Sequence, residues 1–159
     1  MTIVNYEYAD FCEGLDVIEK SIRDSGWMPD YIVGIVRGGA IPAVHLSHRF
    51  NVPVVMVQWS TRESFASEFE RESNCWIPID LHEGKNILLV DDIVDSGLSI
   101  KSLLEDWRTS TAGMGTLPVA NLRKAAIYYN TAQEVVVDYY HRTIDRTEND
   151  DWIRFPWEK

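Results

Sequence analysis

Residues 86–100 constrain the fold of this chain more than any other segment, and they read NILLVDDIVDSGLSI. Four consecutive apolar residues, 87–90, precede the adjacent carboxylates Asp91 and Asp92, and a third carboxylate, Asp95, follows. A short apolar run rich in branched residues and followed by a turn predicts a strand buried on both faces, as in a parallel sheet. Apolar residues at helical spacing come next, so the segment predicts a strand, a loop and a helix in that order.

The loop between this strand and helix combines residue types suited to an anion with residue types suited to a cation. Amides at a helix N-terminus attract anions, most often phosphate. Gly97 would let a phosphate approach the backbone, and Ser96 and Ser99 can donate from their hydroxyls. The carboxylates cannot bind that phosphate, but they accept hydrogen bonds from sugar hydroxyls and they ligate Mg²⁺. The loop is therefore predicted to bind a phosphorylated sugar with Mg²⁺; the alternative is a capped, ordinary strand–helix turn.

A second segment repeats this design earlier in the chain. Residues 31–36, YIVGIV, predict a buried strand, and residues 40–50 predict a helix. Between them lie Arg37, Gly38 and Gly39. A glycine pair between a strand and a helix can form a backbone nest for an anion, to which the arginine adds a positive charge. The alternative is a tight turn with a solvated arginine.

Composition excludes several classes of protein. The 159 residues suit one domain, 1–159, with a substantial core. A net charge of −10 argues against a nucleic-acid partner, which would require a basic face. Two cysteines provide neither a disulfide framework nor a zinc site, which favours a reducing cytoplasm. No signal peptide and no membrane-spanning apolar run is present in the sequence, so we expect no membrane partner.

The remaining pattern predicts an α/β fold. Apolar spacing predicts a helix from Phe11 to Ile22 and strands over 53–58, 125–129 and 134–139. Strands separated by helices imply right-handed crossovers and a mostly parallel sheet, in which the strand ends share one edge. Residues 59–76 are polar and long, which predicts a mobile loop.

The C-terminal octet, residues 151–158, reads DWIRFPWE. Two tryptophans, a phenylalanine and an isoleucine so close together predict packing or a subunit contact. Aromatic faces also stack on planar bases, so a ligand-binding role remains the alternative.

Together these segments resemble the type I phosphoribosyltransferases, and especially the xanthine–guanine/hypoxanthine (6-oxopurine) members. Residues 87–99 fit every position of that family's signature for phosphoribosyl pyrophosphate (PRPP). Residues 36–39 resemble its pyrophosphate loop, in which the peptide before the arginine is often cis. Residues 151–158 resemble its purine-holding segment. The resemblance implies a mostly parallel central sheet flanked by helices, with a small C-terminal hood, residues 140–159.

The resemblance also implies an activity and a site. The activity is transfer of ribose 5-phosphate from PRPP to a purine base, with release of pyrophosphate, in a homodimer or homotetramer. Asp91 and Asp92 would hold Mg²⁺, and Asp95 would act on a purine proton. The residues expected to bind PRPP are Arg37, Gly38, Gly39, Asp91, Asp92, Asp95, Ser96, Gly97, Leu98 and Ser99.

The base contacts implied by the resemblance are Trp152, which would stack on the purine, Ile153, which would read its edge through the backbone, and Asn130. Family members carry a lysine where this chain has Asn130. Lys124 lies at the other end of the same predicted strand. An amide both donates and accepts hydrogen bonds. We therefore expect 6-oxopurines to be preferred, with weaker discrimination against adenine than a lysine would give.

Two features leave alternatives open. The family's mobile loop commonly carries a Ser-Tyr pair, whereas this chain has Ser60-Thr61, with Arg62 or Phe65 as the candidates to replace the tyrosine. A PRPP-binding regulator without catalysis is the competing class, disfavoured by the acidic charge. A phosphoribosyltransferase for a pyrimidine base is the other alternative, disfavoured by Trp152-Ile153.

Overall fold

The computed structural model describes residues 1–61 and 71–159. Its helices are α1 (Tyr8–Asp24), α2 (Ala40–Phe50), α3 (Trp76–His82) and α4 (Leu98–Ser110). Its strands are β1 (Ile3–Asn5), β2 (Tyr31–Val36), β3 (Val54–Gln58), β4 (Ile87–Val94), β5 (Leu122–Asn130), β6 (Tyr139–Ile144) and β7 (Trp152–Arg154). Among the described helices, none combines the length and apolar character needed to span a bilayer.

Five strands form a parallel sheet in the order β3-β2-β4-β5-β6. This confirms the predicted α/β fold. The chain runs outward from β2 to β3 on one side and from β4 through β5 to β6 on the other. Such a reversal leaves a crevice at the carboxyl ends of the two central strands, where open α/β sheets bind ligands. The crevice here lies beyond the ends of β2 and β4.

Helices cover both faces of this sheet. On one face α1 and α2 bury Leu15 and Leu46 against Leu88 of β4. On the other face α3 and α4 bury residues such as Trp107 against Leu89. Because successive residues of β4 point to opposite faces and both faces are covered, residues 87–90 are apolar throughout. The apolar run that the sequence shows is therefore the direct consequence of a central position in the sheet.

A second, two-stranded sheet forms the hood over the crevice. The N-terminal strand β1 pairs in parallel with β7, with Val4 opposite Ile153. Aromatic rings anchor this hood: the ring of Phe155 stacks on Trp157 at 5.1 Å and meets Tyr6 edge-on at 5.6 Å. The N-terminal residues are thus part of the hood, whereas β6, at the start of the predicted hood segment, belongs to the central sheet.

The prediction of a strand over residues 134–139 is wrong. The last strand of the sheet begins at Tyr139, and the residues before it form a loop. Val135 and Val137 are buried while Val136 is 65% exposed, so the side chains alternate in burial although three consecutive valines show no alternation in sequence. The backbone of this loop, however, bonds locally: the side chain of Gln133 accepts from the amide of Val135 and donates to its carbonyl, both at 2.6 Å.

The segment predicted to be a mobile loop, 59–76, is described only at its ends. Gln58 and Glu72 exchange two backbone hydrogen bonds of 3.0 and 2.9 Å as an antiparallel bridge. Trp59 is buried and its indole nitrogen donates to the Ser102 hydroxyl at 2.7 Å. Residues 62–70, with Arg62 and Phe65, lie outside the described residues.

Candidate active site

A cavity of about 1110 Å³ occupies the crevice at the carboxyl ends of β2 and β4. The turn after β2, the end of β4 with the loop that follows, and strand β7 of the hood line it. Residues 58–61 and 71, Arg146, and the C-terminal residues 155 and 157–159 complete the lining. Of the residues predicted to form a site, those that line the cavity are Arg37, Gly38, Asp91, Asp92, Asp95, Ser96, Gly97, Ser99, Trp152 and Ile153. Gly39, Leu98 and Asn130 are not among its lining residues.

The paired carboxylates lie within strand β4, which continues to Val94, rather than after its end. Asp92 is buried and its carboxylate accepts from the amide of Ile93 at 2.7 Å. The carboxylate of Asp91 accepts from the amide of Asp92 at 2.9 Å. Burial raises the pKa of Asp92, and its hydrogen bonds to Asp91 and the Ile93 amide oppose that shift. Local backbone bonds thus fix both carboxylates at the cavity wall.

The turn after β2 brings the backbone against these carboxylates. The Val36–Arg37 peptide is cis, as the resemblance led us to expect. A β-carbon at Gly38 would lie 2.2 Å from a carboxylate oxygen of Asp92, so only glycine fits here. Gly38 therefore presents bare backbone to the cavity beside Asp92.

Gly39 has a different place from the one predicted. Its amide donates to the carbonyl of Ile35 at 2.8 Å, and a β-carbon on it would lie 2.3 Å from the carbonyl oxygen of Val90. This glycine lets the first turn of α2 pack on β4, and its amide is already bonded. That hydrogen bond argues against a direct contact between Gly39 and PRPP, which stays a prediction.

The loop at residues 95–99 turns sharply into α4. Gly97 has a φ of +76°, and a β-carbon there would meet the side chains of Gln133 and Val135 at 2.5 and 2.8 Å. The Ser96 hydroxyl accepts from the amide of Leu98 at 3.3 Å. The side chain of Leu98 is 54% exposed and does not line the cavity. A contact between Leu98 and PRPP would therefore use its backbone amide, which already donates to Ser96.

Asn130 does not line the cavity, which argues against its predicted contact with a base. The residue is 5% exposed at the end of β5. Its amide nitrogen donates to the carbonyl of Asp95 at 2.9 Å, and its amide oxygen accepts from the backbone of Ala132 and Arg146 at 3.0 and 3.2 Å. The side chain instead joins the loop at residues 95–99 to the residues that follow β6.

Arg146 lines the cavity, although no motif in the sequence marks it as a site residue. Its Nε and Nη2 atoms lie 2.9 and 3.2 Å from the two carboxylate oxygens of Asp95. Its Nη1 donates to the carbonyl of Asp151 at 2.6 Å. Arg146 follows the carboxyl end of β6, an edge at which ligand-binding residues collect. The last strand was predicted to end at residue 139, whereas it ends at Ile144, two residues before Arg146.

The aromatic residues of the C-terminal octet all line the cavity, and two of them also pack in the core of the hood. Phe155 is buried and Trp157 packs against Phe11 at 5.1 Å. Trp152 is 44% exposed on the cavity wall. The Trp152 amide and the Arg154 carbonyl bond to the N-terminal segment, at 2.8 and 2.9 Å. Alternate residues of a parallel strand face the same neighbour, so the backbone groups of Ile153 point away from β1.

Asp91 and Asp92 are the oxygen donors at this wall that a divalent cation would meet. In the described ranges, 1–61 and 71–159, no group of three histidine, cysteine or acidic side chains converges on one point. Mg²⁺ commonly uses one or two carboxylates and completes its shell with water and substrate phosphates. The residues present therefore fit a magnesium ion that is bound together with a phosphorylated substrate.

The sequence matches known families over nearly its whole length. A family model described as "Phosphoribosyl transferase domain" matches residues 11–158. A xanthine-guanine phosphoribosyltransferase of Chromohalobacter salexigens is 31% identical over 127 residues, which are 80% of this chain and 67% of that protein. An orotate phosphoribosyltransferase of Bartonella henselae is 31% identical over 104 residues, 65% of this chain. The chain spans only 47% of that second relative.

The fold has counterparts among solved structures. A purine phosphoribosyltransferase from Pyrococcus horikoshii superposes with a TM-score of 0.70 at 23% identity, covering 100% of this chain and 96% of the other. At that identity the likeness concerns the fold, and it extends over the sheet, the flanking helices and the hood.

Proposed function

The chain belongs to the phosphoribosyl transferase domain family, and on that premise we propose that it transfers ribose 5-phosphate from PRPP to a 6-oxopurine base, releasing pyrophosphate. The observation that carries this proposal is the meeting of two sites in one cavity. The loop at residues 95–99 suits a sugar phosphate, and the exposed face of Trp152 suits a planar base. The bond to be made joins a sugar to a base, so both must occupy one space.

The chemistry assigns a role to each part of the cavity. The purine N9 lone pair forms a bond to C1′ of the ribose as the C1′–oxygen bond to pyrophosphate breaks, and that bonding pair leaves with the pyrophosphate. The base loses its N7 proton to the carboxylate of Asp95, which passes it to solvent. Arg37 and the backbone at Gly38 stabilise the negative charge of the leaving group.

The substrate is held at its two ends. The 5′-phosphate binds at the N-terminus of α4, where Ser96 and Ser99 supply hydroxyls and the helix dipole adds positive potential. The ribose hydroxyls donate to Asp91 and Asp92, directly or through Mg²⁺. The purine stacks on Trp152, a contact worth about 1–3 kcal/mol for a base on an aromatic ring. Holding sugar and base in this geometry lowers the entropic part of the barrier.

We expect PRPP to bind more tightly in the presence of Mg²⁺. Asp91 and Asp92 would hold the ion, which neutralises the pyrophosphate and so removes its repulsion from the two carboxylates. Calorimetric titration with and without Mg²⁺ should show a gain of about tenfold or more, about 1.4 kcal/mol. The gain should shrink in Asp91→Asn. Equal PRPP affinity with and without Mg²⁺ contradicts this part of the proposal.

The decisive experiment offers the protein PRPP, Mg²⁺ and a panel of bases, with pyrophosphate release as the readout. Guanine, hypoxanthine and xanthine should react, with higher kcat/KM than adenine. A protein that binds PRPP but releases no pyrophosphate with any base would be the non-catalytic regulator. That result would overturn the catalytic proposal and leave the PRPP site intact.

A pyrimidine is the second candidate substrate. The orotate phosphoribosyltransferase of Bartonella henselae is as similar in identity as the xanthine–guanine relative, although it matches a shorter part of the chain. Orotate therefore belongs in the same panel. Turnover of orotate in place of the purines would overturn the base assignment.

Oligomeric state and compartment complete the proposal. A homodimer or homotetramer stays a prediction, to be checked by light scattering. Cys12 and Cys75 are both exposed and free, which supports a reducing compartment such as the cytoplasm.

A further inference from the structure

We infer that Arg146 reads the 6-position of the purine and selects 6-oxo over 6-amino bases. This inference rests on the proposed function and names the residue that sets its base specificity. Arg146 lies in the segment between β6 and β7. The resemblance had led us to expect this recognition at Asn130, at the end of β5.

The guanidinium of Arg146 is fixed in place at the cavity wall. Two of its nitrogens pair with both oxygens of Asp95, and a third donates to the carbonyl of Asp151. Asp151 directly precedes Trp152, the aromatic residue on the same wall. The side chain of Arg146 is 22% exposed, so it is largely enclosed yet still reaches the cavity. A donor held this firmly loses little conformational entropy when a base binds.

Asp95 and Arg146 together offer an acceptor beside a donor. A 6-oxopurine that reacts through N9 carries its proton on N7, and its 6-oxygen accepts on the same edge of the ring. The carboxylate can accept the N7 proton while the guanidinium donates to the 6-oxygen. A 6-aminopurine turns an N–H toward the same guanidinium, which has five N–H groups and no acceptor. Two N–H donors would then face each other, and no hydrogen bond can form between them.

An arginine enforces this choice more strictly than Asn130 could. A guanidinium is always protonated and cannot reverse its polarity, whereas an amide can present either its oxygen or its nitrogen. Asn130 is also already bonded to Asp95, Ala132 and Arg146. The structure thus replaces the expectation of relaxed specificity with an expectation of strict specificity.

The test compares guanine with 2,6-diaminopurine, two bases that share the 2-amino group and differ in the 6-substituent and in the proton that guanine carries on N1. The measured quantity is the ratio of their kcat/KM values in the wild type, Arg146→Gln and Arg146→Lys. We expect a clear preference for guanine in the wild type. In Arg146→Gln the ratio should fall roughly 10- to 100-fold, the usual discrimination of an arginine bonded to a base edge. Arg146→Lys keeps a cation but loses the fork, and should retain an intermediate ratio.

Arg142→Gln is the matched control. Arg142 lies on β6 and pairs with Asp10 at 2.7 Å, so it is an arginine–carboxylate pair of the same kind that does not line the cavity. Its loss should leave the base ratio unchanged. A general loosening of the fold lowers both kcat/KM values together and cannot move the ratio.

The outcomes separate this inference from the proposed function. If Arg146→Gln lowers both rates and keeps the wild-type ratio, Arg146 only positions Asp95 and the inference is overturned, while the proposed function stands. The same holds if Arg146→Gln does not fold and Arg146→Lys keeps the full wild-type ratio. If the wild type turns over no purine, the proposed function fails and this inference fails with it.

Discussion

Replacing Asp95 with asparagine should lower kcat roughly 10- to 1,000-fold, equivalent to about 1.4–4 kcal/mol in the barrier. Asparagine keeps the shape of the side chain and removes its negative charge and its basicity. The proton released from the purine then has no acceptor, and Arg146 loses the partner that orients it. PRPP affinity, measured by calorimetry, should change much less, because Ser96, Ser99 and the first turn of α4 remain.

Asp10→Asn provides the matched control, since Asp10 pairs with Arg142 away from the cavity. That variant should lower thermal stability and leave kcat close to the wild-type value. An unchanged kcat in Asp95→Asn would mean that Asp95 holds Arg146 and caps the loop without taking part in proton transfer.

Alanine in place of Gly38 should severely weaken PRPP binding, by roughly tenfold or more. Its β-carbon would lie 2.2–2.4 Å from the carboxylate atoms of Asp92, well inside van der Waals contact. Asp92 cannot swing away without giving up its hydrogen bond from Ile93. Either the turn after β2 or the carboxylate must shift, at a cost of about 1–3 kcal/mol. Calorimetry measures the affinity, and thermal unfolding measures the stability.

Gly113→Ala is the control for Gly38→Ala. A β-carbon at Gly113 would meet nothing within 4 Å, and the residue lies in the short helical turn of residues 112–114, away from the cavity. This variant should bind PRPP as the wild type does. If Gly38→Ala also binds PRPP normally, the close approach of this backbone to Asp92 has no part in forming the site.

The sequence by itself determined the parts of the protein that are local in the chain. Residues 87–90 are buried on both faces, so their apolar run predicted the central strand, and the Asp-rich loop with its glycine predicted a ligand site at that strand's end. The segments around Arg37 and α4 were predictable for the same reason. In each, a strand, a turn and a helix are contiguous, and the backbone geometry follows from nearby residues.

Only the tertiary structure showed which segments from elsewhere in the chain complete the cavity beside those loops. Strand β1 pairs with β7, which lies at the other end of the chain. Each strand has only three residues, which is too few for a sequence pattern that predicts the pairing. The run of valines before β6 predicted a strand because it is apolar and β-branched, whereas hydrogen bonding to Gln133 keeps it a loop. Asn130 was selected instead because it aligns with the lysine of the family, and the resemblance said nothing of Arg146. Pairing between distant segments depends on which backbone groups find partners, and a list of residues does not contain that information.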